Sequence, residues 1–336
     1  MIRRLLLAAT LLGSAIASAA AGEPTGYAVT GQIAGSDGGW DYAQVDPATR
    51  RLYVAHGDTV AAFDLASDKA LPSLGSIMRG HAVVPIAGQP LLLVTSGRDD
   101  SVRLIDSRSG TEVAKIAVGS NPDAALYDAA SGRAYVMNAK SGTVSVIDVA
   151  QRKVAATYTL KPGLEYAALA HGTLFVNNED ANEIERVDVA RGTVGTPIAL
   201  TGCEGPSGLG YDGAGDRLIS ACANGKAAVV DAARDRLIGL LDIGKGPDAV
   251  IIDAARHRAL VPCGRDGTLV AIDLAAKGGA KVSGTYPTEI GARTGALDPH
   301  DGAVYLPTAK FAAPATPGGR PTAVPGSFHI VIVKRV

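Results

Sequence analysis

Six histidines and a scattered set of carboxylates are the groups in this chain best equipped for chemistry. His56 and His81 flank short apolar runs. Glu165, Glu179, Asp180 and Glu204 fall in successive polar breaks further on. An imidazole with carboxylates is a donor set for a divalent metal, and it also supplies a base and polarising groups for hydrolysis. His81, Glu165 and Glu204 are the candidate metal ligands, with Asn138 and Arg293 placed to orient a substrate. No HExxH, GxSxG or phosphate-cradling glycine loop is present, so no hydrolytic triad is assigned. Whether these groups meet depends on the elements that carry them.

Residues 121–160 read NPDAALYDAASGRAYVMNAKSGTVSVIDVAQRKVAATYTL. Four short apolar runs are separated by polar turns, and the middle two alternate apolar with polar residues, as half-buried strands do. Four antiparallel strands in about 40 residues describe one blade of a β-propeller. The unit recurs. An Asp closes the third run at Asp64, Asp106, Asp148, Asp188, Asp231 and Asp273, in steps of 42, 42, 40, 43 and 42 residues. Each Asp reads first as a turn-former that accepts hydrogen bonds from its own following backbone.

This spacing predicts an all-β, seven-bladed β-propeller with four-stranded antiparallel blades. Blades start near residues 40, 81, 121, 165, 206, 247 and 293. The last lacks an outer strand before the chain ends. The lone run at 27–33, YAVTGQI, matches a fourth-strand pattern and is expected to pair beside HIVIVK and close the ring. Closure hides an edge that would otherwise template aggregation. A proline-rich stretch at about 311–326, without a strand pattern, interrupts the last blade and is either a lid or docking segment or a neutral surface insertion.

Composition agrees. The chain has 336 residues, 47% of them hydrophobic, with 41 glycines, and its formal net charge of -1 argues against an electrostatic nucleic-acid binder. Residues 1–21 carry Arg3 and Arg4, a short apolar core and A-x-A cleavage sites. They read as a secretory signal peptide, leaving 22–336 as one propeller domain in the periplasm or outside the cell, with no membrane span.

In a propeller the first strand of each blade lines the channel. The loops entering it share one face with those joining strands two and three, and ligand sites favour that face. His56, His81, Asn121, Asp123, Asn138, Lys140, Glu165, Asn177, Glu179, Asp180, Glu204, Asp248, Arg265, Asp266, Arg293 and Lys310 belong there. The ligand-binding set is drawn from these: His56, His81, Asn138, Glu165, Asn177, Glu179, Glu204 and Arg293. His171, His257 and His300 fall on the opposite face and His329 lies in a strand. A plain solvated loop face is the competing account. In an oxidising compartment Cys203 and Cys222 are expected to form a disulfide. Cys263 is left over, as a small buried residue or a reactive or metal-binding thiol beside the histidines.

RLYVAHG, RAYVMN and TVSVIDVAQRKVAATYTL resemble the YVTN-type propeller repeat. With GSNPDAALYD, FVNNED, GCEGPSGLGYD and IGKGPDAV, the mature chain is similar to the exported YncE-like bacterial propellers. It departs from their habit at Pro262-Cys263 and in MRGHAVVPIAG. The resemblance implies the fold throughout and leaves activity open, among ligand binding, single-stranded DNA binding and, more distantly, lactone hydrolysis. The leading expectation is an exported binding protein, holding a small molecule or a protein partner at the channel mouth. A metal-assisted hydrolase or lactonase stands second and a single-stranded DNA binder third. A divalent metal is the one cofactor the residues suggest.

Overall fold

A computed structural model describes residues 26–313 and 321–336. The signal-peptide reading and part of the proline-rich segment lie outside these residues. The chain forms seven radial sheets, a seven-bladed propeller. In the first six blades the strands follow chain order from channel to rim, as in Pro122–Asp128, Arg133–Asn138, Thr143–Asp148 and Lys153–Thr159. First strands of successive blades touch one another around the channel. In blade four the outer strand is broken into Thr193–Val194 and Ile198–Ala199, both paired to Glu183–Asp188.

The alternation in the middle strands predicts half-buried elements, but they are buried on both faces because neighbouring blades cover each side. Ala134, Tyr135, Val136 and Met137 are all buried, and so are the polar Asn138 and Ser145. The Asn138 amide donates to Ser145 Oγ at 3.0 Å and to Thr143 Oγ1 at 3.1 Å, while its Oδ1 has no partner. Only the outer strand Lys153–Thr159 alternates in exposure, since its rim side meets water.

The periodic aspartates are turn-formers. Asp64 accepts from the backbone of Ala66 and Ser67, Asp106 from Arg108 and Ser109, and Asp188 from Ala190 and Arg191. Closure also follows the expectation. Tyr27–Ala34 pairs antiparallel with His329–Arg335, from Tyr27 opposite Arg335 to Ala34 opposite His329. The proline-rich segment does contain paired strands, Phe311–Ala312 with Thr322–Ala323, against the expectation of none. A bond from the Val324 amide to the Lys310 carbonyl and packing of the Phe311 ring against Trp40 hold the hairpin down. Among the described residues no helix is long and apolar enough to cross a membrane.

Candidate functional site at the channel mouth

One residue from each blade, second in the channel strand of four blades and just ahead of it in the other three, builds one ring. These residues are Asp41, His81, Asp123, Glu165, Ser207, Asp248 and Arg293, in steps of 40, 42, 42, 42, 41 and 45. A local irregularity turns each of four of them out of the sheet ladder. Pairing skips between Trp40 and Ala43, Pro122 and Ala124, Leu164 and Ala167, and Pro206 and Leu209, and the ring residue lies in the skipped stretch each time. Such bulges re-aim a side chain away from the pleat.

Backbone bonds tie the ring together from blade to blade. The Tyr42 amide donates to His81 O, the Asp248 amide to Arg293 O, and Thr294 Oγ1 to Asp41 O. Thr95 Oγ1 accepts the amides of His81 and Ala82 and donates to Asp123 O. The Asn177 amide donates to the carbonyls of Ser207 and Gly208, while its oxygen accepts from Ser220 Oγ. Asn177 therefore positions the ring from behind and does not face the channel ligand.

Five side chains form a chain of alternating charge across five blades. Asp123 Oδ1 lies 3.1 Å from His81 Nδ1, which lies 2.8 Å from Asp41 Oδ2. Asp41 is 3.8 Å from the Arg293 guanidinium, whose Nε donates to Asp248 at 2.8 Å. Glu165 completes the acidic set and accepts a long hydrogen bond from Tyr42 at 3.5 Å. Four carboxylates thus face one guanidinium and one imidazole.

This imbalance perturbs the titrations. Burial, with the charges of Asp41, Asp248 and Glu179, pushes Asp123 up to about 7 against the opposing pull of His81. Burial and Asp41 push Asp248 to about 6 although Arg293 opposes them. Burial and the neighbouring carboxylates hold Glu165 well above its usual range. Burial acts against the protonated form of His81, but the hydrogen bond to Asp41 and the charge of Asp123 outweigh it and raise the imidazole. Burial and the adjacent Asp180 raise Glu179, which stands exposed at the rim near the ring.

One residue further along the strands, the channel is closed. The rings of Tyr42 and Tyr166 meet with centroids 4.9 Å apart, and Gln44 Nε2 donates to the Tyr166 hydroxyl at 3.1 Å. Those residues belong to blades one and four, so they span the channel. A void of about 50 Å³ remains beside them, bounded by Ala249, Ile251 and Gly295. The ring is therefore the floor of a cup and not the collar of an open pore.

Of the residues expected at the site, His81, Glu165 and Arg293 are in the ring, Glu179 borders it, and Asp123 and Asp248 join from the wider face. The others are elsewhere. His56 packs against Phe328 with ring centroids 4.5 Å apart, and burial lowers its pKa. Asn138 is bound within its own sheet. Glu204 is exposed in the loop before blade five. The metal trio His81, Glu165 and Glu204 is not assembled. Among the described residues, the group with ligand atoms within 4.8 Å of one another is Asp41, His81 and Asp123. Asp41 and Ser207 were missed because they sit inside strands; aligning the repeats would have found them at the common spacing. On the far face, His171 pairs with Asp216 at 2.7 Å.

Cys203 and Cys222 form a disulfide spanning 19 residues. Cys263 is free and fully buried, and burial pushes its thiol up to about 12. A reactive thiol needs access and an electropositive setting, so the small buried residue is the correct account.

No family model matches the chain, and no curated protein matches it. Solved structures do. A chain of Kuenenia stuttgartiensis hydrazine synthase aligns at 15% identity with a TM-score of 0.69, covering 88% of this chain and 96% of that one. The WD40 repeats of RRP9 align at 10% identity with a TM-score of 0.76, covering 90% and 97%. These likenesses establish the propeller fold. At such identities a shared fold carries no shared activity.

Proposed function

We propose that this is an exported binding propeller of the YVTN-repeat, YncE-like type, and that its ring binds a small cationic ligand. The observation that carries the reading is the acidic excess in a closed cup: four carboxyl groups against Arg293 and His81, on a floor where Tyr42 meets Tyr166, with Asp123 and Glu165 holding protons that a bound cation would displace. Low-dielectric walls strengthen the attraction for a cation. The same charge repels a phosphate backbone, so single-stranded DNA is disfavoured at this mouth. The disulfide suits an oxidising compartment, in keeping with export.

A thermal-shift panel tests this. It contains mono- and diamines, divalent metals, lactones, sugar acids and single-stranded DNA at two salt levels. A ligand that binds only the folded state raises the melting temperature. Cations are expected to do so and anions not. A cation shift that survives intact in Glu165→Gln and Asp248→Asn would sink the ring as the site.

Metal-assisted hydrolysis is the second reading. Asp123, titrating at about 7, is a carboxyl able to exchange a proton near neutrality. Lactone turnover abolished by Asp123→Asn, with the fold retained, is its signature.

A further inference from the structure

We propose that Asp41, His81 and Asp123 form a three-ligand site for a divalent transition-metal ion of the zinc class. The proposal rests on the ring being the binding site and names the ligand for one corner of it.

The geometry is close to what such an ion needs. Metal–oxygen and metal–nitrogen bonds of about 2.0–2.1 Å put tetrahedral ligand atoms about 3.3 Å apart. His81 Nδ1 stands 2.8 Å from Asp41 Oδ2 and 3.1 Å from Asp123 Oδ1, and all three ligand atoms lie within 4.8 Å of one another, so the two carboxylates need only turn toward a common centre. A single imidazole nitrogen faces two carboxylates, and one N–H between them serves both poorly. An ion at that point would serve all three.

The donors are held in place. The His81 amide is bound by Thr95 Oγ1, and its carbonyl accepts from Tyr42. The Asp41 carbonyl accepts from Thr294, and the Asp123 carbonyl from Thr95. The first three blades supply the ligands, so the site requires those blades to pack side by side. His81 is 8% exposed, and its Nε2 has no hydrogen-bond partner. A β-carbon at Gly97 would stand 3.0 Å from that Nε2 and 3.2 Å from Asn121 Oδ1, so both atoms flank one point. With the metal on Nδ1, Nε2 carries the proton, and no side chain occupies that nitrogen in competition with this tautomer.

The surroundings favour a cation. Arg293 is the nearest opposing charge at 3.8 Å from Asp41, and Asp248 engages it at 2.8 Å. Asp248 and Glu179 also act on Asp123, and Arg79 acts weakly on His81. One imidazole with two carboxylates suits zinc-class ions better than calcium or magnesium, which take oxygen ligands in larger number. Three protein ligands leave a position open toward the cup for water or a ligand group.

The test is a cobalt(II) titration of the chelator-stripped protein, read by visible absorption, followed by displacement with zinc. Intense d–d bands and a raised melting temperature are expected, with no comparable effect from calcium or magnesium. Asp41→Asn and Asp123→Asn are isosteric and keep the fold. Each should weaken cobalt binding by more than roughly 100-fold, beyond the 10–100-fold typical of supporting residues. Glu204→Gln, at an exposed carboxylate outside the ring, should change it by less than about 3-fold. Equal binding by wild type and both Asn variants would place the metal elsewhere and overturn the proposal. If amines bind the cup and cobalt does not, the metal site falls while the cationic ring stands. If neither binds, both fall.

Discussion

His81 Nδ1 lies 3.1 Å from Asp123 Oδ1, although 41 residues separate them in the chain. The contact exists because both occupy the same position in adjacent blades. It sets the electrostatics of the cup, since it joins the most crowded carboxylate to the only imidazole of the ring.

Stability should therefore fall as pH rises through the neutral range. Asp123 and Asp248 bind protons more tightly folded than unfolded, with values of about 7 and 6 against an ordinary value near 3.8. Between about pH 4 and 7 the folded state then holds more protons, and unfolding free energy decreases with pH. The raised His81 acts in the same sense from about pH 6.5 upward. Asp106 works oppositely: hydrogen bonds from Arg108 and Ser109 lower its pKa, so its contribution is lost only in acid. The metal-free protein should melt at higher temperature near pH 5 than near pH 8. Asp123→Asn should shrink that difference in a calorimetric pH series; an unchanged difference would refute the assignment.

Gly97→Ala should disturb the ring without replacing any of its residues. Its new β-carbon would lie 2.9 Å from His81 Cδ2, closer than side chains tolerate. Overpacking of this kind costs about 1–3 kcal/mol. Denaturant melts should show that loss, and the His81 resonance should titrate at a shifted pH. A wild-type His81 titration in a folded Gly97→Ala protein would argue against the contact.

Much of this was legible beforehand, and unevenly so. Asp64, Asp106 and Asp148 announce the repeat because every blade needs the same turn in the same place. The 27–33 run was identifiable as the closing strand because its pattern matched the outer strands. The site was harder. Asp41 looks like any polar residue of a strand, and only the skipped pairing between Trp40 and Ala43 turns it into the ring. Glu204 and His56 look like site residues in a polar loop and at a strand end, but position along the strand, not residue type, decides what reaches the channel. Burial of Ser145 and Asn138 was hidden for a related reason: a strand's own alternation does not record the neighbouring blade that covers its second face.

Removing the disulfide should destabilise the protein and leave its architecture intact. A bond closing a loop of about 20 residues contributes on the order of 3 kcal/mol through the unfolded chain. The Cys203→Ser/Cys222→Ser double variant should show that loss in urea melts. Stability equal to wild type, compared without reductant, would remove the bond from the list of supports.

Cys263 should be silent. Its thiol is buried and pushed up to about 12, so the thiolate is scarce at neutral pH. An aromatic disulfide reagent should label no thiol in the native oxidised protein and one after denaturation. Rapid native labelling would contradict the burial.

Deleting residues 26–35 should be far more damaging than trimming a terminus usually is. The deletion removes the outer strand of the last blade and exposes the edge of His329–Arg335. Lower melting temperature and association on a sizing column are expected. A stable monomer would show that the ring tolerates an open blade.

The pairing of Tyr27 with Arg335 also sets a schedule. A ribosome makes the closing strand before any blade, and its partner only after the other six blades have emerged. Blades can form one by one as they appear, but the circle cannot be completed until His329–Arg335 is out. The cup draws on blades from both halves of the chain, so it is assembled only in that last step. A chain that stops short of Arg293 has blades and an incomplete cup.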